Sequence, residues 1–151
     1  MVNRFWLLTL GGDSTVVASR TSGALGATPF ACLSKTISTL VELLKSEGVG
    51  QIAVVDVDAK YTAVVGDNLM KFAYENNWAG IVINGYVRDT KNTKEIDVGL
   101  FALGTCPKKT MEVKEGSLHD TVSFGGITFN EGDYLYADRD GIIVSAMPLE
   151  M

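Results

Sequence analysis

No stretch of about 18 uncharged apolar residues occurs anywhere in the sequence, so no membrane-spanning helix is expected. Cysteine is scarce. The two that occur, Cys32 and Cys106, lie far apart and have no metal-type spacing. That excludes a disulfide scaffold and a cysteine-rich zinc site, and it fits free thiols in a reducing, cytoplasmic compartment. The single histidine, His119, stands between Leu118 and Asp120 with no second His or Cys nearby, and reads as a surface or turn residue. Positive charge is also short: 13 Lys and Arg against 18 Asp and Glu leave a net charge of -5. Direct nucleic-acid binding is therefore not expected, because that affinity rests on cations neutralising phosphates. No Gly-x-x-x-x-Gly-Lys-Ser/Thr run is present, nor a glycine-rich loop followed by a ribose-binding acid, so nothing points to a nucleotide-type cofactor. The opening segment, residues 1–8, lacks the long apolar core of a signal peptide and reads as a strand.

What is present is an ordinary globular composition, 151 residues with 46% apolar and 21% charged, enough for a single domain over 1–151 with a real core. Phe5–Leu10 and Thr15–Ser19 flank Gly11-Gly12-Asp13 and read as a hairpin. Ser22–Pro29, rich in Gly, Ala and Thr without a period, reads as a loop. Leu33–Ser46 puts Ile37, Leu40, Leu43 and Leu44 at helical spacing, with Gly48 as a stop. Gln51–Val57 and Thr62–Val65 are short β-branched runs of the kind found in buried parallel strands. Asn68–Asn76 is helical, with Asp67 as the expected N-cap. Gly80–Asn84 is a further strand, expected to end at Gly85. Strand, turn, helix, strand describes a βαβ unit, whose ligand crevice lies beyond the carboxyl ends of the strands. Val98–Leu103, Thr121–Phe124, Ile127–Phe129, Tyr134–Ala137 and Gly141–Ser145 then alternate with turn signals, so the C-terminal third should be mostly antiparallel β. The fold class is α/β, with β/β/α layers.

Two turns can carry chemistry. Gly66-Asp67-Asn68-Leu69 follows a strand and opens a helix, whose free N–H groups and positive dipole end suit a carboxylate or phosphate. Asp67 could equally do no more than cap that helix. Arg88-Asp89 follows the next strand. It could be a plain ion pair in a turn, or Arg88 could grip an anionic substrate while Asp89 holds a hard cation.

Twenty residues separate Asp67 from Arg88, and this Asp-x20-Arg-Asp pattern resembles the RraA-like family. That family includes the regulator of ribonuclease activity A and the metal-dependent 4-hydroxy-4-methyl-2-oxoglutarate aldolases. Asn77–Asp89, Ile96–Leu103, Phe124–Phe129, Gly132–Asp138 and Asp140–Ser145 are similar to the family's central and C-terminal blocks, so the resemblance is strongest over residues 50–150. It implies a swivelling-domain-like fold with a mixed central sheet and antiparallel C-terminal strands. It also implies assembly as a homotrimer or dimer of trimers, with a site between subunits. By the same resemblance, the backbone of Gly66, Asp67, Asn68 and Leu69 and the side chain of Arg88 bind substrate. Asp89 holds Mg2+ or Mn2+, and Asp67 serves proton transfer or water placement. Trp78, Tyr86 and Phe101 add apolar surface in keeping with an oligomer.

The sequence also departs from the aldolases. Their acid three residues after Arg-Asp is Asn92 here, the C-terminal extension that supplies a further acid is missing after Met151, and residues 1–47 match poorly. Val57-Asp58-Ala59-Lys60-Tyr61 replaces a glycine-rich run of many relatives. Asn92 cannot act as acid or base, so no role is expected of it. The implied function is a metal-dependent lyase acting on small 2-oxo acids, with oxaloacetate decarboxylation ahead of retro-aldol cleavage. The alternative is a regulator that binds and inhibits a ribonuclease through protein contacts.

Overall fold

The runs at residues 52–56, 80–87 and 99–105 are apolar on successive residues, and such strands need cover on both faces. A computed structural model of the chain, describing residues 6–8, 25–34, 37–111, 116–118, 121–137 and 141–150, gives them that cover. Strands β1 (Trp6–Leu8) and β2 (Leu25–Ser34) precede helix α1 (Ile37–Lys45). Strands β3 (Ile52–Asp56) and β4 (Ala63–Val65) lead into α2 (Asp67–Glu75). Then come β5 (Gly80–Val87), the one-turn helix α3 (Thr90–Thr93) and β6 (Gly99–Thr105). Five short strands close the order: β7 (Ser117–Leu118), β8 (Val122–Phe124), β9 (Ile127–Phe129), β10 (Tyr134–Ala137) and β11 (Ile142–Ser145).

The main sheet runs β1-β11-β10-β2-β3-β5-β4, with β6 on β5 and β7 on β2, and β8 and β9 form a separate hairpin. Pairing is parallel from β2 through β3, β5 and β4 and between β5 and β6, and antiparallel from β1 through β11 and β10 to β2. Side chains alternate across a strand, and the core divides accordingly. Ala53, Val55, Ile81, Ile83, Leu100 and Ala102 pack with Leu40, Leu44, Leu69, Met70 and Ala73 of the helices. Ile52, Val54, Val82 and Phe101, on the opposite face, pack with Phe124, Phe129, Leu135, Ile142 and Val144 of the antiparallel strands. This is the layered α/β arrangement expected, with a mixed sheet and antiparallel C-terminal strands.

Several local expectations are corrected. Gly99–Leu103, grouped by sequence with the antiparallel strands, belongs to β6 and pairs parallel with β5. Leu25–Pro29 is not loop but the first half of β2, because β10 supplies a ladder partner, Tyr134 opposite Pro29 and Leu135 opposite Thr28, and pairing overrides weak strand propensity. Leu33 and Ser34 belong to β2 and not to α1, since they pair in register with Val55 and Asp56. Described residues of the opening strand pair with β11; Thr15–Ser19, the expected hairpin partner, lies outside the described residues, as do His119 and Asp138–Asp140. Gly85 does not end β5, which continues to Val87. The glycine is there for space: a Cβ on it would stand 2.4 Å from Val57 Cγ2. Trp78 and Phe101 are 4% and 5% exposed, so they belong to the chain's own cores and give no support to an oligomer.

The turn before β3 carries strain. Val49 has φ 49°, a left-handed conformation that costs a β-branched residue roughly 1–2 kcal/mol. It is held by Gly48 N–H to Asn76 O at 2.7 Å, Gly50 N–H to Asn77 O at 2.6 Å and its own N–H to Glu47 Oε1 at 3.2 Å. Its side chain is 78% exposed and contributes little packing. Val49→Asn should therefore stabilise the fold by about 1 kcal/mol, seen as a higher urea midpoint at unchanged slope. An unchanged or lower midpoint would show that the turn is unstrained.

Candidate active site at the ends of two parallel strands

β3 and β4 share one edge of β5, because β6 holds the other edge at both ends of the strand: Gly80–Asn84 face β3, and Tyr86 and Val87 face β4. β4 and β5 therefore end side by side. The Arg88 N–H donates to Val65 O at 2.9 Å, which ties the two exits together. The chain leaves β4 through Gly66 into α2 and leaves β5 through Arg88-Asp89 into α3.

Gly66 is the N-cap of α2, with φ -133° and ψ -169°, an extended backbone open to any residue. Glycine is favoured here by contact and not by conformation. A Cβ at 66 would lie 2.7 Å from Asp89 Oδ2 and 3.4 Å from Arg88 Cγ and Nε. Two of the expected site segments are thus packed against each other. Asp67 is the first helical residue and not the cap, a correction to the sequence expectation, since Gly66 takes that position without a side-chain cap bond. Leu69 is 8% exposed and turned into the core, so only its backbone can serve a site.

Asp89 has φ 58°, a left-handed conformation that Asp tolerates better than most residues. Its carbonyl accepts the N–H groups of Asn92 and Thr93 at 2.9 and 3.0 Å, closing the single turn of α3. Its Oδ2 lies 3.4 Å from Arg88 Nη1, with the two side chains 28% and 33% exposed respectively. The ion pair considered from sequence does form, but it is long, and both groups keep access to solvent.

Asp67 meets residues of which no role is expected from the sequence. Asn92 Nδ2 donates to Asp67 Oδ2 at 3.3 Å, and Lys71 Nζ lies 3.5 Å from the same oxygen. Burial alone would raise the Asp67 pKa. The Asn92 amide, the Lys71 charge and the Asn68 backbone N–H outweigh it, and the net shift is downward from the ordinary 3.8. Asn92 was the residue set aside as chemically inert; its spacing from Arg88-Asp89 was legible, but its partner was not. Lys71 also lines a cleft of about 300 Å³ with Tyr74, Glu75, Glu95, Ile96 and Asp97, which contains neither Arg88 nor Asp89. Among the described residues no group of three or more His, Cys, Asp or Glu could hold a metal ion. Cys106 is a buried free thiol, its Sγ 3.7 Å from Tyr61 O.

The family model described as RraA-like, Aldolase/RraA, matches residues 13–144. The chain belongs to the RraA-like family. It is 42% identical over 113 residues to a protein of Dechloromonas aromatica (strain RCB) described provisionally as a 4-hydroxy-4-methyl-2-oxoglutarate aldolase, covering 74% of this chain and 69% of that one. Among solved structures, the RNA-processing inhibitor RraA from Thermus thermophilis superposes with a TM-score of 0.85 at 29% identity, over 97% of this chain and 88% of that one. A protein of Geobacillus kaustophilus HTA426 named as an S-adenosylmethionine: 2-dimethylmenaquinone methyltransferase also gives 0.85, at 28% identity over 96% of this chain and 89% of that one. The proteins this chain resembles thus carry names from two enzyme classes and a regulator, and the choice for this chain has to rest on its own residues.

The lowered Asp67 pKa sets a sign for stability. The folded state binds this proton more weakly than the unfolded chain, so the contribution is complete above 3.8 and is lost as pH falls through the lowered native value. Urea unfolding should show wild type ahead of Asp67→Asn at neutral pH, with the gap closing in acid. A gap that does not change with pH would mean that the carboxylate's partners do not favour its charge.

Proposed function

We propose that this RraA-like protein is a divalent-metal-dependent carbon–carbon lyase acting on small 2-oxo acids, with decarboxylation of oxaloacetate favoured over retro-aldol cleavage of 4-hydroxy-4-methyl-2-oxoglutarate. The observation that carries the reading is the contact of Gly66 with Arg88 and Asp89. It sets a helix start, a guanidinium and a carboxylate around one point at the ends of parallel strands, where ligands of open α/β sheets bind.

Asp89 suits a hard cation such as Mg2+ or Mn2+. Such ions need only one or two protein carboxylates, with waters and substrate completing the shell, and Asp89 is a part-exposed carboxylate of that kind. When bound, the ion supplies Lewis-acid stabilisation of charge on the 2-oxo acid. The rest falls to the chain. Arg88 offers a planar fork to the substrate carboxylate and faces the enolate charge that grows as the C–C bond breaks. The N–H groups at the start of α2 seat an anionic oxygen. Asp67, held ionised, orients a water beside the reacting carbon. In oxaloacetate the C3–C4 bond breaks, CO2 leaves, its electron pair becomes the enolate, and a proton from water adds at C3 to give pyruvate. Retro-aldol cleavage needs in addition a base for the substrate hydroxyl, and Asn92 is no base.

The second reading is a regulator acting on a ribonuclease through protein contacts. It is favoured by the likeness to the Thermus RNA-processing inhibitor and by the net charge of -5. We also propose that the chain is a single domain working as a homotrimer or dimer of trimers, in which Tyr61 and Met111, 64% and 84% exposed, are candidates for cover. Light scattering on a sizing column tests the assembly, and a clean monomer at micromolar concentration would argue against a shared site.

Pyruvate release from oxaloacetate, with and without Mg2+ or Mn2+, tests the activity. Asp89→Asn should lower it at least about a hundredfold, the scale of a lost electrostatic stabiliser. Chelation should do the same, with activity restored by metal in the wild type alone. Arg88→Lys keeps charge but loses the fork and should be severely impaired. Wild-type protein inactive on 2-oxo acids with every divalent metal tried would sink the lyase reading in favour of the regulator.

A further inference from the structure

We infer that Asn92 is a positioning residue, which holds the Asp67 carboxylate from the same rigid turn that presents Asp89. The inference rests on the reading of Asp67 as a site carboxylate, and it gives a task to a residue that cannot itself move a proton.

The geometry carries it. An ionised carboxylate only accepts hydrogen bonds, so the Asn92 side chain must turn its NH2 group, and not its carbonyl, toward Asp67 Oδ2 at 3.3 Å. Asn92 and Asp89 are locked in one turn, since the Asp89 carbonyl accepts the N–H groups of Asn92 and Thr93. Thr93 is fully buried and anchors that turn. The amide therefore links two site carboxylates that arrive on different elements, Asp67 on α2 and Asp89 at the head of α3. Lys71, on the helix of Asp67 itself, reaches the same oxygen but is 57% exposed; it contributes charge and little orientation. An acid at position 92 would face Asp67 with a like charge, where the amide donates.

A double-mutant cycle between positions 67 and 92 tests this, read in oxaloacetate turnover and in urea unfolding. Asn92 is exposed, so its variants should fold. Asn92→Ala should lower kcat about tenfold, a fraction of what an ångström-scale misplacement costs, with KM changed less than about twofold. Asn92→Asp should be slower still. Asp67→Asn with Asn92→Ala should be no slower than Asp67→Asn alone, and the cycle should also be non-additive in unfolding. Turnover losses that simply add, or an unchanged kcat in Asn92→Ala, would overturn the positioning role and leave at most a structural contact. Additive unfolding would overturn the contact itself. Wild-type protein without turnover would sink the lyase reading instead, and the unfolding cycle would then decide alone whether Asn92 holds Asp67.

Discussion

Strand β5 must be buried on both faces and paired on both edges, and the rest of the structure follows from that demand. Its eight residues leave no edge free: β6 takes one side, and β3 followed by β4 takes the other. Helices cover one face and antiparallel strands the other. Pairing one edge with two successive strands forces the chain out between them at residues 57–62, and Gly85 marks the step, because Val57 presses against it too closely for any side chain. Charged side chains come only where the strand ends, and Arg88 and Asp89 stand there.

The same crowding explains the odd backbone around the crevice. Asp58, Ala59 and Asp89 all have positive φ without being glycine, at 56°, 53° and 58°. Such conformations persist where surrounding structure over-determines them, and they cluster at functional sites. In the loop after β3, the Asp58 N–H bonds to Asp56 Oδ1 and the Ala59 N–H to Asn84 O. These bonds account for a loop that keeps a glycine-like shape without glycine. At Asp89 the left-handed turn starts α3 and sends the carboxylate back over Gly66.

Both longer helices were legible in the sequence because they obey a period, and β3, β4 and β5 because they are unbroken apolar runs; the parallel pairing of β2 and β6 was not legible. Leu40 and Leu44 mark one face of α1. Leu25–Pro29 was not legible, since its strand state comes from β10 more than a hundred residues away, while its own composition argues for a loop. For Gly66 the sequence suggests a turn-forming glycine, and the structure shows an extended one whose Cβ would meet the Asp89 carboxylate at 2.7 Å. Trp78 and Phe101 looked like surface for an oligomer because sequence does not reveal that each has a pocket within its own chain. Pair contacts such as Asn92 with Asp67 carry no local signal, because the residues lie on separate helices joined only by the packing of α2 against the turn after β5.

Those contacts bear on which reaction the proposed site can support. Cleaving a C–C bond beside a 2-oxo group needs an electron sink in every case, and Arg88 with a cation at Asp89 would supply one. The reactions differ in the proton. An aldol cleavage begins by removing one from a hydroxyl, and needs an acceptor within reach. A decarboxylation begins from a carboxylate already ionised, and asks only that a proton return to carbon. Asp67 faces three donors: an amide, an ammonium and a backbone N–H favour its charged form. Each donor lowers its basicity, and the Asn92 amide fixes its direction. A group held this way is poor at taking a proton from a substrate hydroxyl and good at aligning a water. An acid at position 92 would set a like charge against Asp67 where the amide donates to it. With the amide there, the proposed site would lack a base for a substrate hydroxyl and would suit loss of CO2.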